Sequence, residues 1–395
     1  MMYRKLIWTL GMALALLVGA ACSKEERPSE AGTVSISFRV GDPATRVETP
    51  GDGNVADGGG IYCTREAGSP VVLTPDLYIF ICDINTGEVV KRYLSDGTGE
   101  GAVDPDSNWS DGNKSTFLSI RFPFNNAGSY SVYALANVGG GDSNLTLPSA
   151  GDLASIPNAS ALDALFVSLS ATTLDVGSRM PLSAKGALTV EKGLNDNKYN
   201  GHVELEMLRC VNKVQLSFEN LTGAVLNLYH CQVTFKDMNV QQGWLFPKNP
   251  DFVAMGDGED EGDLDDNYRD YTSAPRDVTG IVEKDTVPFF TSPVLFLPSV
   301  APMQTAPSKG TRYLCDVSFR IQKDSSIPYN SEDESTYTQK SFSNLPIHTP
   351  RSEDITALGR NQHLQIVTTV SKGESVSFNF KVKEWDAHTE TIHFD

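Results

Sequence analysis

Val34-Ser35-Ile36-Ser37-Phe38-Arg39-Val40 alternates apolar and polar side chains without a break. In an extended backbone successive side chains point to opposite faces, so this stretch lays Val34, Ile36 and Phe38 on a core and turns Ser35, Ser37 and Arg39 the other way. It predicts a first β-strand over 34–40. The same period of two returns in Val203-Glu204-Leu205-Glu206-Met207 and again over 211–218, 233–240 and 313–321. Leu77-Tyr78-Ile79-Phe80-Ile81-Cys82 is a near-continuous apolar run, which suits a strand covered on both faces, and Asn85-Thr86-Gly87 turns the chain into a hairpin partner at 88–90. Further strands are expected over 117–122, 129–136, 187–190, 288–298, 364–370, 376–385 and 391–394. Mixed apolar spacing over 152–169 is compatible with one short helix. No long amphipathic helix alternates with these strands, which argues against a parallel α/β sheet; short strands between Gly, Pro, Asn and Asp turns predict an all-β protein of sandwich type.

The N-terminus points to a compartment. Arg4 and Lys5 precede an apolar run over 6–18 that ends in Gly19-Ala20-Ala21-Cys22. The run is too short to cross a bilayer comfortably and a polar stretch follows at once, so 1–21 is expected to be a removable signal peptide. Small residues before a cysteine resemble a bacterial lipobox, with Cys22 as the lipidated thiol. An acidic linker over 22–32, opening Ser23-Lys24-Glu25-Glu26, resembles an export tag that carries lipoproteins to the cell exterior. With 32 Lys and Arg against 50 Asp and Glu, the net charge of −18 repels nucleic acid and argues against DNA or RNA as a partner. The remaining chain exceeds the usual size of a single core, so two domains are expected, over 33–200 and 201–395. Residues 41–70, rich in Gly, Asp and Thr, carry no apolar period and read as an exposed loop.

The search for chemistry returns no catalytic, cofactor or metal site. The six histidines show no ligand spacing such as His-Glu-x-x-His. Asp257-Gly258-Glu259-Asp260-Glu261-Gly262-Asp263 has the look of a calcium loop, but Tyr268 stands where the bidentate carboxylate belongs; in Asp104-Pro105-Asp106-Ser107-Asn108 the turn glycine is replaced by Trp109. No Gly-x-Ser-x-Gly elbow occurs. Cysteines after Cys22 are Cys63, Cys82, Cys210, Cys231 and Cys315, without metal spacing; most read as small buried hydrophobes, and one disulfide, for example Cys210 with Cys231, stays open.

Several stretches taken in order resemble one family. They are 34–40, 77–90 with its Asp-x-x-x-Gly turn, Tyr130-Ser131-Val132-Tyr133-Ala134-Leu135-Ala136-Asn137, Met180-Pro181-Leu182-Ser183, Leu208-Arg209-Cys210-Val211-Asn212-Lys213-Val214, and Arg360-Asn361 onward. Together the chain is similar to the fimbrillins of the type V pilus of Bacteroides-like bacteria. The resemblance implies two transthyretin-like, Greek-key β-sandwich domains in tandem and a fimbrial surface protein serving adhesion and biofilm formation. It also implies a lipidated outer-membrane precursor, cut by an arginine-specific protease in the loop after the first strand. Arg46 is the preferred cut and Arg65 the second. Losing the first strand would leave unpaired backbone groups and empty pockets, to be refilled by an extended strand from another fimbrial subunit. The C-terminal segment 376–395 is the expected donor, with Phe378, Phe380, Val382, Trp385, Ile392 and Phe394 as plugs. This favours a polymerising subunit; the alternatives are an uncleaved membrane anchor and a surface glycan binder using Trp109, Trp244 or Trp385. A host or bacterial surface ligand is the remaining expected partner.

Overall fold

The alternating stretches become strands in a computed structural model of the chain, which describes residues 32–40, 61–65, 73–104, 114–115, 117–139, 144–170, 179–194, 198–248, 268–289, 294–300, 313–348, 355 and 357–384. The first half contains β1 (Gly32–Val40), β2 (Ile61–Arg65), β3 (Leu73–Pro75), β4 (Leu77–Asp83), β5 (Val89–Tyr93), β6 (Ala102–Val103), β7 (Lys114–Ser115), β8 (Phe117–Phe124) and β9 (Gly128–Ala136). It continues through β10 (Leu145–Thr146), α1 (Ala150–Ala154), α2 (Ala159–Asp163), β11 (Phe166–Leu169), β12 (Leu182–Lys192) and β13 (Tyr199–Arg209). The second half opens with β14 (Asn212–Leu221), β15 (Leu226–Val240), β16 (Gln242–Trp244), β17 (Tyr268–Thr272), β18 (Arg276–Ile281), β19 (Thr286–Pro288) and β20 (Val294–Phe296). It ends with β21 (Ser299–Val300), β22 (Leu314–Gln322), β23 (Tyr337–Pro346), β24 (Ala357–Leu358), β25 (Gln362–Ser371) and β26 (Ser375–Glu384).

An eight-stranded sheet in the order β5-β4-β9-β12-β13-β1-β8-β6 organises the first half. Its inner face closes on one core, where Val34, Ile36 and Phe38 meet Ile79, Ile81, Leu118, Ile120, Phe122, Val132 and Leu205. The continuous apolar run in β4 is explained by its two faces: Leu77, Ile79 and Ile81 enter this core, while Tyr78, Phe80 and Cys82 enter another on the opposite side. The expected hairpin follows, with the Asp83 carboxylate accepting from the amides of Asn85 (2.8 Å) and Thr86 (3.0 Å) and Gly87 at φ 74°. In the second half, sheet β19-β14-β25-β26 faces sheet β17-β15-β22-β23. Their shared core holds Phe218, Phe235, Phe296, Phe319 and Ile366, with Phe218 edge-on to Phe319 at 5.2 Å.

One expectation is corrected. The segment 152–169 is not one helix: Pro157 separates α1 from α2, each capped by its own side chain (Ser149 and Asn158), and 166–169 is a strand. β13 spans the division expected near residue 200 and is hydrogen-bonded into the first sheet, antiparallel to β12 and parallel to β1. The crossing comes after Arg209. Finally, Cys82, Cys210, Cys231 and Cys315 are all free thiols and buried; Cys210 and Cys231 lie in different cores, which no disulfide could bridge without moving backbone.

Burial pushes the Cys82 thiol up to about 11 and the Cys315 thiol up to about 12. A thiol whose folded value is raised stabilises the fold below its ordinary value and loses that contribution as pH climbs past it. The native protein should therefore resist alkylation by iodoacetamide at pH 8 at both positions, react once unfolded, and show falling denaturation midpoints above about pH 9. Peptide mass spectrometry after a timed alkylation checks this.

Candidate functional site

The slot that holds β1 is the place where loss or gain of a strand would matter. β1 is an interior strand, parallel to β13 from Val34↔Gly201 to Val40↔Met207 and antiparallel to β8 from Gly32↔Phe124 to Arg39↔Phe117. Val34, Ile36 and Phe38 are wholly buried. Burying three such side chains is worth roughly 5–9 kcal/mol, comparable to the net stability of a whole domain. The first half therefore needs this strand or a substitute of the same length. On the opposite face, Ser35 Oγ lies 2.8 Å from His202 Nδ1, Ser37 Oγ donates to Ser119 Oγ (3.3 Å), and Arg39 Nε pairs with Glu204 Oε1 at 2.5 Å. These polar contacts fix register more than they add stability. At the N-terminal end, Gly32 runs so close to Tyr199 that a Cβ would fall 1.7 Å from its carbonyl oxygen.

Of the residues the sequence singles out, Cys22 and Arg46 lie outside the described residues. Arg65, expected in irregular backbone within the 41–70 loop, is instead the last residue of β2, opposite Leu73 of β3. That strand forms because Ile61 is wholly buried in the first core and because its backbone is held on both sides. Tyr62 N donates to Asn137 Oδ1 (2.8 Å), and Asp76 N donates to Tyr62 O (2.7 Å). Asn137 is itself buried at φ 63°, a conformation that asparagine tolerates better than most residues. Its Nδ2 donates to Met180 O (2.9 Å), so the family-like stretches over 130–137 and 180–183 meet here. Burial raises the Asp76 carboxyl above its ordinary value, against the opposing pull of the Gly139 and Val138 amides and Arg179.

Among the proposed plugs, Phe378, Phe380 and Val382 lie on β26, the outermost strand of its sheet, paired to β25 from Gln362↔Glu384 to Ser371↔Ser375. They already serve their own chain. Phe380 is buried in the second core with Phe378 and Val382 packed against it; Phe378 meets Phe342 at 5.1 Å, and Phe380 meets His348 at 5.2 Å. Trp385, Ile392 and Phe394 lie outside the described residues, as do Trp109 and the acidic stretch 257–263. Asp104 is buried against Arg121 (Nε to Oδ2, 2.8 Å), a structural ion pair. Lys248 Nζ lies 3.6 Å from the centre of the Trp244 ring and occupies one face a sugar would need. Among the described residues, no group of three or more His, Cys, Asp or Glu is placed to hold a metal ion, and no helix is long and apolar enough to cross a membrane.

Sequence reasoning missed a buried polar junction between the halves. Arg209 Nη1 donates to Asn361 Oδ1 (2.9 Å), Asn361 N to Val211 O (2.9 Å), and Arg360 reaches Ser183. The signal was present as two family-like stretches far apart in the chain.

The family model describing fimbrillin-A associated anchor proteins Mfa1 and Mfa2 matches residues 39–391. The chain belongs to that family. Membership in this family makes it a fimbrial subunit or anchor protein. Among solved structures it is similar to the tip fimbrial protein Mfa3 of Porphyromonas gingivalis (12% identity, TM-score 0.46, covering 90% of this chain and 100% of that one). It is also similar to a fimbrilin, FimA, of Porphyromonas gingivalis (10%, 0.44, 91% and 99%) and to the fimbrial anchor protein Mfa2 of the same organism (10%, 0.35, 91% and 100%). No curated protein matches the chain.

In this member of the anchor family, Phe38→Ala should cost about 3–5 kcal/mol in urea denaturation, because the slot cannot collapse around the missing ring. Arg39→Ala, at a part-exposed ion pair with Glu204, should cost about 1 kcal/mol or less.

Proposed function

We propose that this chain is the lipid-held anchor of a surface fimbria, tethered to the outer membrane through Cys22, which keeps its own first strand and serves adhesion by holding the fibre to the cell. The observation that carries this reading is the family match over 39–391, whose model describes anchor proteins. Two features of the fold are in keeping with it. β1 is paired along both sides in the middle of its sheet, and the apolar residues of β26 are consumed by the chain's own second core. A strand that donates Phe378, Phe380 and Val382 elsewhere would have to leave that core first. This departs from the sequence-based preference for a polymerising subunit.

The second reading, a processed subunit cut at Arg46 and assembled by strand exchange, retains one supporting observation. β8 and β13 both present full ladders to the slot, so a partner's extended strand of equal length could replace β1. The two readings differ in the mature N-terminus. Mass spectrometry of the protein recovered from the cell surface should find an acylated Cys22 as its first residue; a start at Val47 would overturn the anchor reading. In a complementary test, protein cut with an arginine-directed protease should stay monomeric and retain the β1 fragment through native gel filtration. Loss of that fragment with growth of a ladder of oligomers would favour the processed subunit.

A further inference from the structure

The two family-like stretches around Arg209 and Arg360 meet where the chain crosses from one half to the other. Arg360, 7% exposed, precedes β25; its Nη1 donates to Ser183 Oγ on β12 (2.9 Å) and to Leu245 O (3.0 Å), and its Nη2 donates to Trp244 O (2.8 Å). Arg209, 1% exposed, closes β13 and reaches forward to Asn361 Oδ1 (2.9 Å). Asn361 sits at φ 56° and returns its own amide to Val211 O (2.9 Å), while Asn212 Nδ2 donates to Leu297 O (3.0 Å). Guanidinium groups shielded from water in this way depend on protein acceptors in place of solvent, so prising the halves apart would strip several polar groups of partners together.

Around these bonds lies a core that belongs to neither half. Tyr78, Phe80 and Tyr133, on the outer face of β4 and β9, are covered by Leu245, Phe246, Leu295 and Leu297 of the second half, with Tyr133 edge-on to Phe246 at 5.0 Å. The backbone joins too: β16 of the second half pairs with β11 of the first over Phe166↔Trp244 to Ser168↔Gln242. Leu245 N donates to Leu165 O (3.0 Å) and Leu169 N to Gln241 O (2.8 Å).

We propose that Arg360 and Arg209 form a clasp that makes the two halves one cooperative unit, so that neither opens while the other stays folded. The strand beside β1 on its parallel side, β13, runs straight into this clasp, so an event at the slot is transmitted to the second half. The proposal stands whether the chain is an anchor or a processed subunit.

The native cysteines report on it directly. Cys82 lies on β4 in the shared core and Cys231 on β15 in the second core, and both are buried. Across a urea series, short alkylation pulses read by peptide mass spectrometry should show both thiols becoming reactive at one midpoint. In Arg360→Met both midpoints should fall and separate by about 0.5 M urea or more. In Arg360→Lys, which keeps the charge without the fork, they should separate by less; if the Met variant does not fold, the Lys variant is read by the same criterion. Separate midpoints in the unaltered protein would overturn the clasp. So would a variant in which the two midpoints fall together.

Discussion

The fold depends on one extended segment that the chain supplies early and places in the middle of a sheet. β1 sits between β8 and β13, and its three apolar side chains fill a core lined by β2, β4, β5, β8, β9, β12 and β13. Because both neighbours spend their ladder bonds on it, its absence would create two open edges and a cavity in the same step, and few features of a sandwich are harder to leave unfilled. The approach of Gly32 to Tyr199 adds a geometric condition: at this point the two backbones come too near for any side chain. Whatever occupies the slot must meet those same constraints of length, alternation and close approach.

The consequences extend beyond the first half. β13 passes from its place beside β1 to Arg209, and from there the chain enters β14, whose parallel partner is β25. β14 in turn lies between β25 and the short strands β19 and β20. Each half thus has a parallel pair at its centre, and the two pairs are joined end to end through the buried guanidiniums. Among the described residues the two halves are thus joined by a shared core, paired strands and buried guanidiniums.

How much of this could be read beforehand follows from the range of each signal. Strands at 34–40, 77–82, 129–136, 313–321 and 364–370 were legible because alternation and continuous apolar runs are local properties, and the Asp83 turn because its hydrogen bonds span only three residues. Sheet membership was not, since Val203-Glu204-Leu205-Glu206-Met207 alternates identically whether it joins the first sheet or the second. The glycines near Arg65 concealed a strand whose existence depends on the distant Asn137 and the buried Ile61. The apolar alternation of 376–382 was read as material for donation, but the same pattern serves a strand paired to β25 in the chain's own sheet. At the candidate site, Val34, Ile36 and Phe38 were identified correctly as core-facing; Arg209 and Arg360 were visible only as parts of stretches, because an arginine's burial is decided by acceptors more than a hundred residues away.

On the anchor reading we propose, β1 is a permanent member of its sheet in the mature protein. Amide hydrogen exchange on material released from the cell surface tests it most directly, since protection reports the free energy needed to open each strand. Peptides covering 34–40 should be present and protected to the same degree as those from β8 and β13. If those peptides are missing, or exchange orders of magnitude faster than their neighbours, the account is contradicted.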